Sequence, residues 1–171
     1  MKIIVNKIPE EGIEIHSIEN AESLHISPSD LILSDDVHID AMIRREGDSF
    51  FVDGTIKTVL SLTCSRCASD FLYPVDTFFH CREEPVESAS KEIELYLRDS
   101  DMDIDHYVGD EVEINTLFRE QIILSVPMHP LCKPDCLGLC PRCGQNLNIG
   151  RCDCREDEVT NPFHVIKRLF D

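Results

Sequence analysis

Eight of the nine cysteines in this 171-residue chain fall into close pairs. Cys64 and Cys67 flank Ser65-Arg66, and Cys132 and Cys136 flank Lys133-Pro134-Asp135. Cys140-Pro141-Arg142-Cys143-Gly144 follows, and Cys152-Asp153-Cys154 closes the set. Two thiolates a few residues apart on a tight turn can point at one ion, and two such turns complete a tetrahedron. Pro141 fixes φ at the bend, while Gly144 admits the positive φ that turns backbone amides towards sulfur. The chemistry this spacing favours is structural zinc binding. The preferred partition gives Cys140, Cys143, Cys152 and Cys154 to one Zn2+, and Cys64, Cys67, Cys132 and Cys136 to a second, because two filled sites use all eight paired cysteines. The alternative is one zinc taken from the six tail cysteines, with Cys64 and Cys67 as free thiols. Cys81, the odd one out, reads as a small buried hydrophobe.

Other thiol chemistries fit less well. Cys136, Cys140 and Cys143 have the spacing of a radical cluster motif, but fewer than thirty residues follow Cys143, too few for the barrel such enzymes need. Four thiolates also suit iron, so an iron–sulfur protein is the competing class. A redox role for Cys64 and Cys67 would need a helix N-terminus to lower a thiol pKa, and this pair lies in a predicted hairpin turn. Catalytic zinc keeps an open position, usually with histidine or carboxylate in the shell. No histidine is woven into the pairs; His129 and His164 are the nearest and read as surface or packing residues. Phosphate-cradling glycine loops and nucleophile elbows are absent from the sequence, so no enzymatic activity is expected. Glu120 is the one lone carboxylate on an apolar helix face, expected to reach an arginine or a helix-end amide.

The elements that must position these thiols are mostly strands. Val37, Ile39, Ala41 and Ile43 alternate with polar residues over 37–45. A second strand spans 50–63, with Ile56, Thr58, Leu60 and Leu62 on one face, and a third covers 70–81, with Phe71, Tyr73, Val75, Thr77 and Phe79 together. Residues 92–97 alternate again. Short connections between successive strands favour an antiparallel, hairpin-built sheet. Asn115 is expected to cap a helix running to about Val126, with Ile114, Phe118, Ile122 and Val126 at i+4 spacing and Pro127 ending it. Asn161-Pro162 opens a second, amphipathic helix with Phe163, Ile166 and Phe170 on its stripe. The expected fold is therefore α+β: a mostly antiparallel sheet with two short helices and a small C-terminal zinc-binding module. Residues 1–127 form the sheet domain and 128–171 the Cys-rich tail.

Charge narrows the partners. There are 33 acids against 16 bases, a formal net charge of −17, which repels phosphate backbones and anionic membranes. Residues 83–113 hold twelve of the acids and two bases. Asp101, Asp103 and Asp105 resemble the start of a calcium loop, but His106 stands where that loop needs glycine and Val112 where it needs glutamate. A solvated acidic face suited to a basic protein fits better. The tail, residues 132–155, is locally positive before thiolates and metal are counted. Three consecutive apolar residues after Lys2 are too few for a signal-peptide core, so a reducing cytoplasmic setting is expected, where paired cysteines are metal ligands sooner than disulfides.

The order of these features resembles one family. A Cys-x-Arg-Cys hairpin precedes an acidic stretch, then Phe118-Arg119-Glu120-Gln121-Ile122-Ile123-Leu124-Ser125-Val126-Pro127 and Pro130-Leu131-Cys132. The tail from Cys136 through Cys140-Pro141-Arg142-Cys143-Gly144-Gln145-Asn146-Leu147-Asn148, with Cys152-Asp153-Cys154 and Asn161-Pro162-Phe163, completes the match. Together they look like the YceD family of large-subunit ribosomal RNA accumulation proteins, from about residue 35 onward; residues 1–34 add little. Leu137 departs from the pattern, standing where many members carry lysine. The resemblance implies a non-enzymatic ribosome-biogenesis factor supporting accumulation of 23S rRNA, with no catalytic residues and no small-molecule substrate. Its expected partner is a pre-ribosomal large-subunit particle, or a basic ribosomal or assembly protein met by the acidic 83–113 face. Any RNA contact would come from the positive tail.

Overall fold

A computed structural model describes residues 1–86 and 104–154. Two long strands dominate it. β5 (Ser49–Thr63) and β6 (Asp70–Pro85) pair antiparallel from Phe50↔Glu83 to Thr63↔Asp70 and form one hairpin. Period-two burial fixes their faces: Phe50, Val52, Ile56, Leu60 and Leu62 point inward, and Val75 and Phe79 stand beside them from β6.

β4 (Val37–Glu46) pairs antiparallel with β5 and buries Val37, Ile39, Ala41 and Ile43. β3 (Ile32–Leu33) continues along the same edge of β5 beyond a short break, where Thr58 Oγ1 donates to the Asp35 carbonyl at 3.1 Å. Outside β4 lies β2 (Ile13–Glu19), also antiparallel. The far edge is β7 (Ile104–Tyr107), which runs parallel to β6. The sheet is therefore antiparallel with one parallel pair, a departure from the all-hairpin expectation. A parallel neighbour cannot be joined by the tight turn that closes a hairpin. A two-stranded sheet of β1 (Lys2–Ile4) and β8 (Glu111–Glu113) brings the first residues beside the start of the helix α1 (Ile114–Leu124).

The inward stripe of α1, Ile114, Phe118 and Ile122, is fully buried, and the Phe118 ring meets Phe79 edge-on with centroids 5.9 Å apart. Leu24, Ile26 and Leu31 from the segment between β2 and β3 fill the same core. One expectation fails here. Asn115 does not cap the helix; it is buried inside the first turn and its Nδ2 donates to the Ser23 carbonyl at 2.8 Å. Glu113 holds the cap position without a side-chain bond, and the Ile114 amide donates to the Met1 carbonyl at 3.0 Å. A chain packed against the helix start satisfies an amide that a side chain would otherwise cap. The predicted strand 92–97 and the predicted helix from Asn161 lie outside the described residues. No helix among the described residues is long and apolar enough to cross a membrane.

Gly54 marks the tightest packing in the sheet. A Cβ there would lie 2.6 Å from the Asp40 carbonyl oxygen and 2.8 Å from the Phe79 ring. Both neighbours are held, one by the ladder and one by the core. Gly54→Ala should therefore destabilise the fold by about 2–3 kcal/mol, read as a lower urea midpoint at unchanged m-value.

Candidate metal centres

Cys64 and Cys67 sit in the turn closing the β5–β6 hairpin, whose neck is tied by Thr63 Oγ1 donating to Asp70 Oδ1 at 2.7 Å. The turn folds back on itself: the Cys64 amide donates to the Ser69 carbonyl at 2.9 Å, and the Ala68 amide to the Cys64 carbonyl at 2.9 Å. The segment Cys140–Gln145 repeats this pattern. The Cys140 amide donates to the Gln145 carbonyl at 2.8 Å, and the Gly144 amide to the Cys140 carbonyl at 2.9 Å. Residues 68 and 144 hold equivalent places and both are left-handed, at φ 54° and 73°. Glycine takes that conformation freely and alanine does not. Ala68→Gly should consequently raise stability by about 1 kcal/mol without changing metal content, checked by thermal melting of the loaded protein.

The structure brings the eight paired thiols into two quartets. Cys64, Cys67, Cys132 and Cys136 form one, and Cys140, Cys143, Cys152 and Cys154 the other, with the sulfurs of each within 4.8 Å of one another. In the first, Cys64 Sγ lies 3.8 Å from Cys136 Sγ, and Cys67 Sγ 3.7 Å from Cys132 Sγ. A tetrahedron with metal–sulfur bonds of about 2.3 Å has edges of about 3.8 Å, so one ion fits at the centre. A disulfide would need about 2.05 Å, and all nine cysteines are free. A cluster of several irons spreads its four cysteine sulfurs across the inorganic core, wider than either quartet.

Electrostatics point the same way. Amides of Cys132, Arg66 and Cys67 aim at the Cys64 sulfur and hold its thiol down at about 6. The amides of Cys143 and Arg142, with the Cys152 thiol, do the same for Cys140, again to about 6. Opposite them, burial and the neighbouring sulfurs push Cys132 up to about 12. Cys154 is pushed up to about 12, first by its bond to Cys143 and then by burial. Four sulfurs this close cannot all carry charge unaided, and a central dication removes the conflict by deprotonating its thiols outright.

The quartets differ in burial. Cys64, Cys67 and Cys136 are buried under Phe71 and Leu131, whereas Cys143 is exposed and Cys152 and Cys154 are half-buried. The first quartet joins the hairpin to the tail, where the Ser65 amide and hydroxyl both donate to the Pro130 carbonyl, at 2.8 and 3.0 Å. Arg66 Nη1 donates to the Cys136 carbonyl at 3.2 Å.

Two asparagines that the spacing of cysteines does not reveal connect the centres. Asn148 Nδ2 donates to Cys136 Sγ at 3.3 Å while its Oδ1 accepts the Leu137 amide at 3.0 Å. Asn146 Nδ2 donates to Ser69 Oγ at 2.9 Å. The loop between the ligand pairs of the second quartet thus packs on the first, and metal ligands held this way keep their orientation. Cys81 lies apart, half-buried rather than fully buried, and its sulfur accepts a bond from Gln121 Nε2 at 3.3 Å. Among the described residues Glu120 reaches no arginine and no helix-end amide, contrary to expectation; it lines a cavity beside α1.

A hairpin sheet joined by one cysteine quartet to a tail that folds around a second defines the class of protein. The chain belongs to the YceD family: the family model described as "Large ribosomal RNA subunit accumulation protein YceD" matches residues 52–170, a span that includes all eight paired cysteines. It is 30% identical over 139 residues to the chloroplastic YCED homolog 1 of Zea mays, covering 68% of this chain and 47% of that protein. Its match to the Arabidopsis thaliana homolog 1, also chloroplastic, is 26% over 154 residues, or 78% of this chain and 48% of the relative. The chain thus spans about half the length of these plant relatives. The uncharacterized protein YlbN of Bacillus subtilis is 21% identical over 170 residues, 97% of this chain and 92% of the relative. No solved structure matches.

Proposed function

We propose that this protein is a non-enzymatic ribosome-biogenesis factor that supports accumulation of 23S rRNA, with its binding surface held in shape by two Zn2+ ions. The observation that carries this reading is the family match over residues 52–170. Each quartet would hold one zinc through four thiolates: Cys64, Cys67, Cys132 and Cys136 at the hairpin, and Cys140, Cys143, Cys152 and Cys154 in the ribbon. Bound there, zinc supplies coordination and charge neutralisation. A shell filled by four sulfurs leaves no position for water or substrate, which supports a structural role over turnover. The protein's own residues do the rest, with the amides of Arg66, Cys67 and Cys132 orienting one sulfur and Asn148 another.

A charge of −17 disfavours direct association with RNA through long-range attraction. The partner is instead a basic ribosomal or assembly protein on the pre-ribosomal large-subunit particle. Depleting the protein in its host should lower the ratio of 23S to 16S rRNA, and the wild-type chain should restore it. An unchanged ratio after depletion contradicts the reading.

A further inference from the structure

Between α1 and the strands β7 and β8 lies a cavity of about 330 Å3 lined by the carboxylates of Glu83, Asp105, Glu111, Glu113 and Glu120, with His106, Tyr107 and Thr116 as its other polar side chains. Glu111 is paired with Lys2 at 2.8 Å, and Glu113 lies 3.9 Å from His25. Three carboxylates facing the cavity differ: among the described residues the side chains of Glu83, Asp105 and Glu120 take no hydrogen bond and no ion pair. Glu83 is only 8% exposed. A buried carboxylate without a partner is expensive, and neither Lys nor Arg lines this cavity among the described residues. Burial, then Asp105 and Glu120, push the Glu83 carboxyl up to about 7. An incoming cation would relieve that destabilisation.

The size of the cation follows from spacing. These three carboxylates do not converge within the 4.8 Å that groups the cysteine quartets, so they do not form a compact cage for a hard metal ion. A wider, planar cation with several donors fits better, and the apolar walls of Val112 and Leu117 suit the stem that would carry it. We propose that this cavity is a socket for an arginine side chain of a basic protein partner, with Glu83 and Glu120 receiving the guanidinium. The inference rests on the reading of a factor that meets a basic protein, and names where it is met.

The test uses the zinc-loaded full chain and two probes, acetyl-Lys-Arg-Lys-amide and its citrulline counterpart, in which a neutral urea replaces the guanidinium. Calorimetry at physiological ionic strength should find the arginine peptide bound about tenfold or more tightly than the citrulline one. Glu83→Gln with Glu120→Gln should abolish that preference. Glu14→Gln with Asp76→Asn, an equal charge change at side chains 71% and 70% exposed elsewhere on the sheet, should preserve it. Asp105→Asn serves as an independent variant should the first pair fold poorly, and it too should reduce the preference. Equal binding of the two peptides by the wild type, or a preference that survives the cavity variants, overturns the proposal. Because the rRNA ratio is measured in cells and the peptides on purified protein, failure of the socket and failure of the functional reading are separate results.

Discussion

Cys136→Ser should halve the bound zinc and lower the melting temperature by roughly 10–20 °C, whereas Cys143→Ser should halve the zinc at a cost of only a few degrees. Both variants lose one of four sulfurs, so the difference tests position and not chemistry. Cys136 is 4% exposed, sits beneath Phe71 and Leu131, and belongs to the quartet that holds the β5–β6 hairpin to the tail. Its loss leaves Cys64 and Cys67 buried without their counter-charge, strands the Asn148 amide, and frees residues 128–136 from the sheet. Loss of a structural metal belongs to the small group of changes worth about 5 kcal/mol. Cys143 is exposed, and the ribbon it closes meets the rest of the protein through Asn146, which donates to Ser69 in the hairpin turn, and Asn148, which donates to Cys136. At about 1 kcal/mol for each such bond, its contribution to the fold is small. Zinc content by mass spectrometry and melting by circular dichroism decide the matter; equal melting temperatures would mean that the first quartet does not staple the fold.

Phe118→Ala should destabilise the protein by about 4 kcal/mol. Phe118 is fully buried and its ring meets Phe79 edge-on, while Phe79 in turn fills the space left by Gly54. The three positions form one column from strand to helix. Removing the helix side of it opens a cavity that the ladder on the other side cannot collapse to fill, so the loss of packing adds to the loss of burial. Urea unfolding should show the lower midpoint while metal content stays at the wild-type value, which separates this effect from that of the cysteine variants.

Much of this arrangement was legible in the residues. Alternation in Val37, Ile39, Ala41 and Ile43, and in Ile56, Leu60 and Leu62, gave strands and faces correctly, because one face of the sheet is buried and the other is open. The close spacing of the cysteines indicated which sulfurs can be neighbours, and the structure groups the same eight. What was lost had physical causes. β2 was hidden because its period breaks at Ser17, which points inward opposite Ile39, while Ile18 is 65% exposed. β1 is three residues long and gains its place only by pairing with β8. Asn115 has the right chemistry for a cap, but Met1 reaches the helix start from over a hundred positions away and displaces it. Asn146 and Asn148 stand in the tail motif, but their orienting role was not legible, since an amide that orients a metal ligand looks like any loop residue until the loop is folded against its target.

The proposed function needs two closed zinc sites, each surrounded by sulfur alone. X-ray absorption at the zinc edge, on protein purified without chelator and quantified for metal, reads that shell. Two zinc per chain, with four sulfur neighbours at about 2.3 Å and no lighter scatterer in the shell, is the expected result. Bound iron, a single zinc, or an oxygen or nitrogen neighbour in the shell would contradict it.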